Sequence, residues 1–313
     1  MQQKQPFFAS PQEIKAGFFI NEFCNPFNLP AVILPELSPE DIAELPKTNN
    51  DSPTPYSRTT TREEYEISVT DTIAALKRNG GKTVLSRVIC NTSEGINWGK
   101  VATSYFSAFP NTFRFIYFTP ETGAWLGASP ETLLTYNISH DTIATMSLAG
   151  TRLKDDTAAW DKKNVKEHNF VTDYIVNTLA THGIKANVGP AEDLNYGKIK
   201  HLCHRITANF SGDIIPLLHS LSPTPALAGT PLKQAISHIK ACEAHPRRCY
   251  GGYVGVKCDT MVCAFVNLRS VHFSDKGYCI YAGSGITADS DVDTEWLETE
   301  NKVARLSEII ATK

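Results

Sequence analysis

The pattern of apolar and polar positions predicts helices and strands that do not alternate regularly. Apolar residues three or four positions apart predict helices over 63–77, 99–108, 161–179 and 231–242. Short apolar runs predict strands over 18–20, 31–34, 82–90, 114–118, 124–127, 132–136, 142–146, 252–257, 260–268 and 278–282. Runs of strands punctuated by helices, without βαβ repeats, indicate the α+β class. The last three strands have the spacing of a meander.

A stretch rich in Pro, Thr, Ser and Asn over 46–62 offers little to bury and predicts an exposed linker. Residues 39–45 before it have weak helix potential. We place the main boundary at this linker. The predicted organisation is therefore a short N-terminal segment, 1–60, packed on a core domain, 61–313.

The stretch 281–302 combines glycines with charged residues. A strand runs into Gly283-Ser284-Gly285, a glycine loop whose backbone N–H groups could approach a ligand closely because no Cβ intervenes. A helix is predicted from near Glu295, capped by Asp293 or Thr294, with its apolar stripe formed by Trp296, Val303, Leu306 and Ile310.

Glu295, Glu298 and Lys302 recur on this helix at spacings of three and four residues and project to one side. Such a group could hold a metal ion and an anion together. Taken alone, a Glu-Glu-Lys face on a terminal helix is more commonly solvated surface, so the rest of the chain has to decide between these interpretations.

Composition describes an ordinary globular protein, because 42% of the 313 residues are hydrophobic and 20% are charged. A formal net charge of −3 argues against binding to nucleic acid or acidic membrane through a basic surface. We find no export signal and no apolar run long enough to span a bilayer. The 8 cysteines include no Cys-x-x-Cys pair, which favours reduced thiols in a cytoplasm.

Several short motifs then occur in one order along the chain. They are Ser129-Pro130-Glu131, Leu148-Ala149-Gly150-Thr151-Arg152, Glu167-His168, His201-Leu202, the run 223–231, the run 250–255, Leu268-Arg269-Ser270 and the stretch 281–302. This order resembles the chorismate-utilising enzymes, whose members include isochorismate synthase, salicylate synthase, anthranilate synthase component I and aminodeoxychorismate synthase component I. The resemblance covers about residue 61 to the end. It implies a layered α/β/β/α fold with large, mainly antiparallel sheets and helices on the outside.

Within the family, the resemblance implies an isomerase of the isochorismate synthase type. Lys82 matches the lysine that deprotonates the attacking water, where anthranilate-type members place an amide. Glu131 matches the general acid that protonates the departing 4-hydroxyl, and this role needs a buried carboxyl group. Ala149 stands where some aminodeoxychorismate synthases have a nucleophilic lysine, so no covalent adduct can form there.

The resemblance also assigns a metal site. Glu167 and Glu298 match the Mg²⁺ ligands of the family, and Glu295 is a nearby or water-mediated contributor; oxygen ligands of this kind suit Mg²⁺. Glu167 lies one turn before Phe170, Val171 and Tyr174, the apolar stripe of its helix. Some relatives have a further acidic residue where this chain has Asn164.

The remaining assignments concern substrate binding. Arg269 and Tyr250 match the residues that hold the enolpyruvyl carboxylate, assisted by the amides of Gly283, Ser284 and Gly285. Lys302 is expected near the ring carboxylate and the metal. Thr224 is expected near the substrate ring, and the remaining pocket-lining assignments are Gly150, Thr151 and His201.

The resulting expectation is a cytoplasmic, Mg²⁺-dependent isochorismate synthase that acts on chorismate and needs no glutaminase partner. Salicylate synthase is the main alternative, ahead of anthranilate synthase component I and a catalytically inactive chorismate-binding subunit. The pathway, menaquinone or siderophore, is left open with a lean to menaquinone. The hypothesis requires Lys82 and Glu131 to face each other across a cavity whose far wall carries Glu167 and Glu298.

Overall fold

Two antiparallel sheets organise the computed structural model, which describes residues 8–9, 17–23, 31–32, 55–119, 122–196 and 199–311. The chain divides into two compact units, and each unit is assembled from three separate segments. Unit 1 comprises 1–34, 130–226 and 252–266, and unit 2 comprises 35–129, 227–251 and 267–313. Helices accompany both sheets, so the predicted α+β class with large antiparallel sheets is confirmed.

Unit 1 contains a 9-stranded sheet within the described residues, with the order β1-β3-β2-β12-β13-β7-β8-β10-β9. The strands are β1 (Phe8–Ala9), β2 (Gly17–Asn21), β3 (Ala31–Val32), β7 (Thr132–Asn137), β8 (Thr142–Leu153), β9 (Asn187–Tyr196), β10 (Ile199–Asn209), β12 (Tyr253–Lys257) and β13 (Met261–Val266). Its helices are α3 (Lys162–Thr181) and α4 (Ile215–Leu221). Helix α3 packs on β8 and β10 through Val171, Ile175 and Leu179, which are buried.

Unit 2 contains a 6-stranded sheet in the part of the chain described, with the order β11-β4-β15-β14-β6-β5. The strands are β4 (Lys82–Thr92), β5 (Phe113–Thr119), β6 (Gly123–Ser129), β11 (Gly229–Thr230), β14 (Ser270–Phe273) and β15 (Gly277–Ile286). The helices are α1 (Arg62–Asn79), α2 (Trp98–Ala108), α5 (Leu232–Cys242) and α6 (Val292–Ala311).

The core of unit 2 forms where α2 and α6 cover the 6-stranded sheet. Burial of apolar surface drives this contact. Buried side chains of the helices meet buried side chains of the strands: Trp98, Val101, Tyr105, Val303, Leu306 and Ile310 pack with Leu126, Val271, Phe273 and Ile280. The centre of β15, which leads to Gly283–Gly285, thereby lies against this buried core.

The predicted C-terminal meander is wrong. Strands β12 and β13 pair with each other in unit 1, whereas β15 pairs with β4 and β14 in unit 2. Strand β14, which the pattern did not predict, lies between β13 and β15 in the chain and belongs to the second sheet. Local periodicity reports which residues are extended, and it carries no information about which sheet receives a strand.

Three successive elements were missed. Strands β9 and β10, which pair along most of their length, and helix α4 lie in 187–221, where no element was predicted. For β9 the cause is polarity, because many of its residues are exposed and the apolar alternation that marks a half-buried strand is weak there.

Helix boundaries show how capping chemistry refines the periodicity. Helix α1 begins at Arg62 with a capping box, in which Thr61 and Glu64 each bond the other's backbone N–H, and it ends at Asn79 with Gly80 as its C-cap. The predicted start of α6 near Glu295 is wrong, because the helix begins at Val292 and Asp291 accepts from the Thr294 N–H. On α3, Val171 is buried as expected, but Phe170 is 42% exposed, so it does not belong to the core stripe.

At the N-terminus, strands β2 and β3 confirm the predicted strands near 18–20 and 31–34. The weak helix at 39–45 and residues 46–54 of the linker lie outside the described residues. The predicted boundary near residue 60, with its segments 1–60 and 61–313, stays a prediction. No helix in the described part of the chain is long and apolar enough to cross a membrane.

Candidate functional site

The residues that the sequence singled out fall into both units. Unit 1 carries Glu131, Gly150, Thr151, Glu167, His201 and Thr224. Unit 2 carries Lys82, Tyr250, Arg269, Gly283, Ser284, Gly285, Glu295, Glu298 and Lys302. The side chains of Thr151 and Glu167 lie outside the described part of the structure, although both residues occupy regular elements, β8 and α3. The juxtaposition of Lys82 and Glu131 stays a prediction.

Lys82 is held at the start of β4 and lies against Gly285. Lys82 pairs with Thr230 of β11, and the adjacent residues of β4 pair with the end of β15. A Cβ on Gly285 would lie 2.4 Å from Lys82 Cε and 2.9 Å from its Nζ. Glycine at 285 therefore makes room for the half-buried amine of Lys82.

The predicted glycine loop is a strand. Gly283, Ser284 and Gly285 pair with Ser86, Leu85 and Val84 of β4. A Cβ on Gly283 would lie 2.9 Å from the Leu85 carbonyl oxygen, so the glycine is required by the close approach of two backbones.

The Ser284 side chain points into the interior of unit 2. The hydroxyls of Tyr65 and Ser284 are 2.7 Å apart, and both residues are 1% exposed. This buried hydrogen bond ties α1 to β15 in the middle of the candidate site.

Helix α6 carries the two glutamates one turn apart. Lys302 Nζ donates to Glu298 Oε1 at 2.6 Å and to the Gly283 carbonyl at 2.7 Å. Glu295 is 7% exposed, and its Oε1 accepts from Ser290 Oγ at 2.7 Å. The structure thus brings Glu298, Lys302 and Gly283 together.

The donor set is compatible with a hard cation. Glu295 and Glu298 supply carboxylate oxygens, the ligand type that Mg²⁺ prefers, and Mg²⁺ ordinarily keeps several waters and needs few protein ligands. No group of three or more His, Cys, Asp or Glu residues suited to a metal occurs among the described residues.

Tyr250 is buried beside the same strand. Its ring stacks on Tyr281 with centroids 5.4 Å apart, and its hydroxyl would lie 3.3 Å from a Cβ placed on Gly283. Burial raises the pKa of Tyr250 to about 12, so the phenol stays neutral and keeps its proton to donate.

Arg269 occupies the left-handed region with φ 46°, a conformation that few residues other than glycine adopt. Its carbonyl accepts from the Tyr105 hydroxyl and from the Ala128 N–H, and its guanidinium lies 5.4 Å from the centre of the Phe109 ring. Strained backbone of this kind persists where the surroundings hold it, often at functional sites.

In unit 1, Gly150 and His201 meet at a β-bulge. Lys200 pairs with Arg152 and Leu202 pairs with Ala149, so β8 has one residue more than β10 at this point. Gly150 has φ 72°, which accounts for glycine here, and its carbonyl bonds His201 Nδ1 at 2.7 Å. The bulge interrupts the regular ladder in the middle of the Leu-Ala-Gly-Thr-Arg motif.

Glu131 and Thr224 are both nearly buried. Glu131 is 7% exposed and follows β6, with its carbonyl accepting from the Val266 N–H at 3.0 Å. Thr224 is 6% exposed, and its hydroxyl has no hydrogen-bond partner within the described residues. A buried hydroxyl of this kind is suited to a ligand that supplies the missing bond.

Sequence reasoning missed a buried ion pair that holds β4 near Lys82. Arg247 donates to the carbonyls of Val84 at 2.7 Å and Leu227 at 2.8 Å, and to Glu243 Oε2 at 2.8 Å. Glu243 Oε1 accepts from the Ser86 N–H at 2.6 Å. The only signal in the sequence is a pair of opposite charges four residues apart, which is common on any surface.

A family model and several known proteins match this chain. A family model described as "Chorismate binding enzyme" matches residues 20–311. The isochorismate synthase MenF of Escherichia coli (strain K12) is 33% identical over 212 residues, which are 64% of this chain and 48% of that protein. Anthranilate synthase component 1 1 of Halobacterium salinarum is 32% identical over 199 residues, 57% of this chain and 37% of that protein.

Among solved structures, MenF, the menaquinone-specific isochorismate synthase from Escherichia coli, is similar with a TM-score of 0.79 and 25% identity; the match covers 96% of this chain and 80% of that chain. The chain spans about half the length of curated relatives such as the Escherichia coli isochorismate synthase, 48% in that case.

Proposed function

Because the chain belongs to the chorismate binding enzyme family, with residues 20–311 matching the family model, we propose that it is an isochorismate synthase. The proposed reaction is the reversible conversion of chorismate to isochorismate. Water adds at C2 of the ring, the double bonds shift, and the C4 hydroxyl leaves with a proton as water. The reaction is thus an isomerisation, balanced by one water entering and one leaving.

The identity and placement of Lys82 carry this proposal. The chain has an amine at the start of β4, where anthranilate-type members place an amide, and its tip lies in the space left by Gly285. A base must be neutral when it accepts a proton. Lys82 would take the proton of the attacking water.

Glu131 would supply the proton for the leaving hydroxyl. A general acid at neutral pH must keep its proton, and burial favours the neutral form of a carboxyl group. The 7% exposure of Glu131 supports this role.

Substrate binding would rest on fixed donors. The neutral phenol of Tyr250 and the guanidinium of Arg269 would hold the enolpyruvyl carboxylate, in which the planar fork of arginine sets orientation as well as charge. The orphan hydroxyl of Thr224 is available for the ring region. Gly150, Thr151 and His201 form the bulged segment of unit 1 that would complete the polar contacts.

Glu167 and Glu298 would hold Mg²⁺, with Glu295 close to or bridged to the ion by water. The bound ion would neutralise the ring carboxylate and favour one orientation of the substrate. Lys302 Nζ donates to Glu298 Oε1 and would balance the negative charge of that carboxylate.

The test follows products by liquid chromatography after incubation of chorismate with the purified chain and Mg²⁺. We expect isochorismate, and we expect Lys82→Gln and Glu131→Gln to lose turnover while they keep their fold. Lys100→Gln, at an exposed position of α2, is the matched control and should behave like the wild type. Near-normal isochorismate formation by Lys82→Gln would disprove the proposed base.

The product itself separates the alternatives. Salicylate with pyruvate would identify a salicylate synthase. Anthranilate formed when an ammonium salt is added would identify an anthranilate synthase, which is the activity named for the relative from Halobacterium salinarum. Binding of chorismate in a calorimeter without any product would identify an inactive binding subunit.

The metal assignment has its own test. Chelation by EDTA should remove activity, added Mg²⁺ should restore it, and Glu298→Ala should not recover at any Mg²⁺ concentration that rescues the wild type. Glu308→Gln, an exposed glutamate on the same helix, is the control. Full turnover in chelator would refute the proposed Mg²⁺ site.

A further inference from the structure

Two cysteines lie directly opposite each other on the central strands of unit 2. Cys90 of β4 is paired with Cys279 of β15, and the two sulfur atoms are 2.9 Å apart. Cys90 is half-buried, whereas Cys279 has no exposed surface. Neither residue belongs to the motifs that indicated the function.

The backbone geometry of this pair is suited to a cross-strand bond. The N–H and carbonyl of Cys90 both bond the Thr59 hydroxyl, and those of Val88 bond Thr60, so neither residue directs its backbone groups toward β15. Cys90 and Cys279 are therefore a non-hydrogen-bonded pair of the antiparallel ladder. In such pairs the Cα atoms are about 4.5 Å apart and the side chains are closest, which is within the range that a disulfide requires.

The environment also distinguishes the two thiols. The Cys279 thiol donates to the Tyr56 carbonyl at 2.6 Å. Cys90 is half-buried and Cys279 is fully buried, so Cys90 is the sulfur that an external disulfide can reach. Cys90 is thus suited to attack, and Cys279 is placed to resolve.

We propose that Cys90 and Cys279 form a redox-active dithiol that low-molecular-weight disulfides, such as glutathione disulfide, oxidise to an intramolecular disulfide. The Cys90 thiolate attacks the external disulfide, forming a mixed disulfide and releasing one small thiolate. The Cys279 sulfur, on losing its proton, then attacks Cys90 Sγ and expels the second small thiol. The external disulfide is reduced to two thiols, the protein loses two hydrogens, and excess thiol reverses both steps.

The cross-link would join the strands that carry Lys82 and Gly285 at the ends remote from those residues, since the β4–β15 register runs from the 277–92 pair to the 286–83 pair. It also removes the S–H donor that now bonds the Tyr56 carbonyl. Oxidation would therefore remove one of the hydrogen bonds that hold the segment before α1, at Tyr56. The inference rests on these contacts alone and not on the proposed catalytic activity.

The experiment incubates the intact chain with defined ratios of reduced to oxidised glutathione, quenches with acid, alkylates free thiols under denaturing conditions and maps peptides by mass spectrometry. We expect a peptide pair joined through Cys90 and Cys279 in the wild type. The control Cys258→Ser, which removes an exposed thiol in unit 1, should give the same pair. Cys90→Ser and Cys279→Ser should yield no such pair, and dithiothreitol should restore free thiols.

The peptide map of the wild-type protein decides the matter independently of the variants. A glutathione adduct on Cys90 that never proceeds to the internal bond would overturn the proposal. So would a disulfide that joins either sulfur to a different cysteine, or free thiols at both positions under strongly oxidising ratios that modify Cys258.

Discussion

Replacing Gly285 by alanine tests the most specific contact in the candidate site. The new methyl group would lie 2.4 Å from Lys82 Cε, where ordinary contact begins at 3.4 Å. The nearest atoms belong to the far end of a flexible side chain, so the lysine moves and the sheet does not. The displacement of the amine is about 1 Å, which is the scale at which a misplaced catalytic group loses roughly 100-fold in rate.

The same substitution should leave stability nearly unchanged. Gly285 lies in the regular ladder of β15 and is not among the glycines with positive φ. Alanine there lowers the conformational entropy of the unfolded chain and breaks no native hydrogen bond. The free energy of unfolding should therefore change by less than about 1 kcal/mol. A loss of about 100-fold in kcat corresponds to about 2.7 kcal/mol of transition-state stabilisation. Activity and stability therefore separate in this variant.

The assay compares steady-state isochorismate formation and urea unfolding for wild type, Gly285→Ala and Gly277→Ala. Gly277 lies in the same strand, and a Cβ there would meet only the Asn91 carbonyl at 3.1 Å, remote from Lys82. We expect low kcat in Gly285→Ala and normal kcat in Gly277→Ala.

The double variant Lys82→Gln/Gly285→Ala completes the test. It should be no slower than Lys82→Gln, because the methyl group acts only through the amine. A wild-type kcat in Gly285→Ala, or equal losses in both glycine variants, would refute the reasoning.

Three further predictions concern the interior of unit 2. Arg247→Ala removes the arginine partner of Glu243, whose side chain is 5% exposed. The buried carboxylate that remains should lower the free energy of unfolding, measured by urea titration, by about 3–5 kcal/mol. A change below about 1 kcal/mol would contradict a buried ion pair. Tyr65→Phe leaves the Ser284 hydroxyl without its bond and should cost about 1–3 kcal/mol, with an unchanged urea midpoint as the contrary outcome. Burial lowers the pKa of His245. The unfolded chain therefore binds more protons below about pH 6.5, stability falls as the pH falls, and His245→Gln should show a shallower loss than the wild type.

In the candidate site, the glycines of β15 and a buried ion pair both help to position Lys82. Gly283 and Gly285 accommodate a neighbouring carbonyl and the Lys82 side chain, and Arg247 with Glu243 holds the backbone of β4 at Val84 and Ser86. The lysine amine is therefore positioned by the space at Gly285 and by the ion pair that holds β4. Positioning of this kind agrees with the need to hold a catalytic group within a fraction of an ångström.

Local physics was readable from the chain itself. Apolar periodicity located most helices and most strands, because one buried face imposes a spacing on each element separately. Ordered motifs identified the family, and they singled out Lys82, Glu131 and Glu298 before any coordinates.

Tertiary structure alone decided the rest. Which sheet receives β15, and that Gly283–Gly285 is a strand and not a loop, depend on pairing with β4, which is almost two hundred residues away in the chain. The contact of Lys82 with Gly285, the bond of Tyr65 to Ser284 and the opposition of Cys90 to Cys279 arise from the same register. Pairing energy is spread over many distant residues, so a local pattern predicts that a segment is extended but not the partner against which it lies.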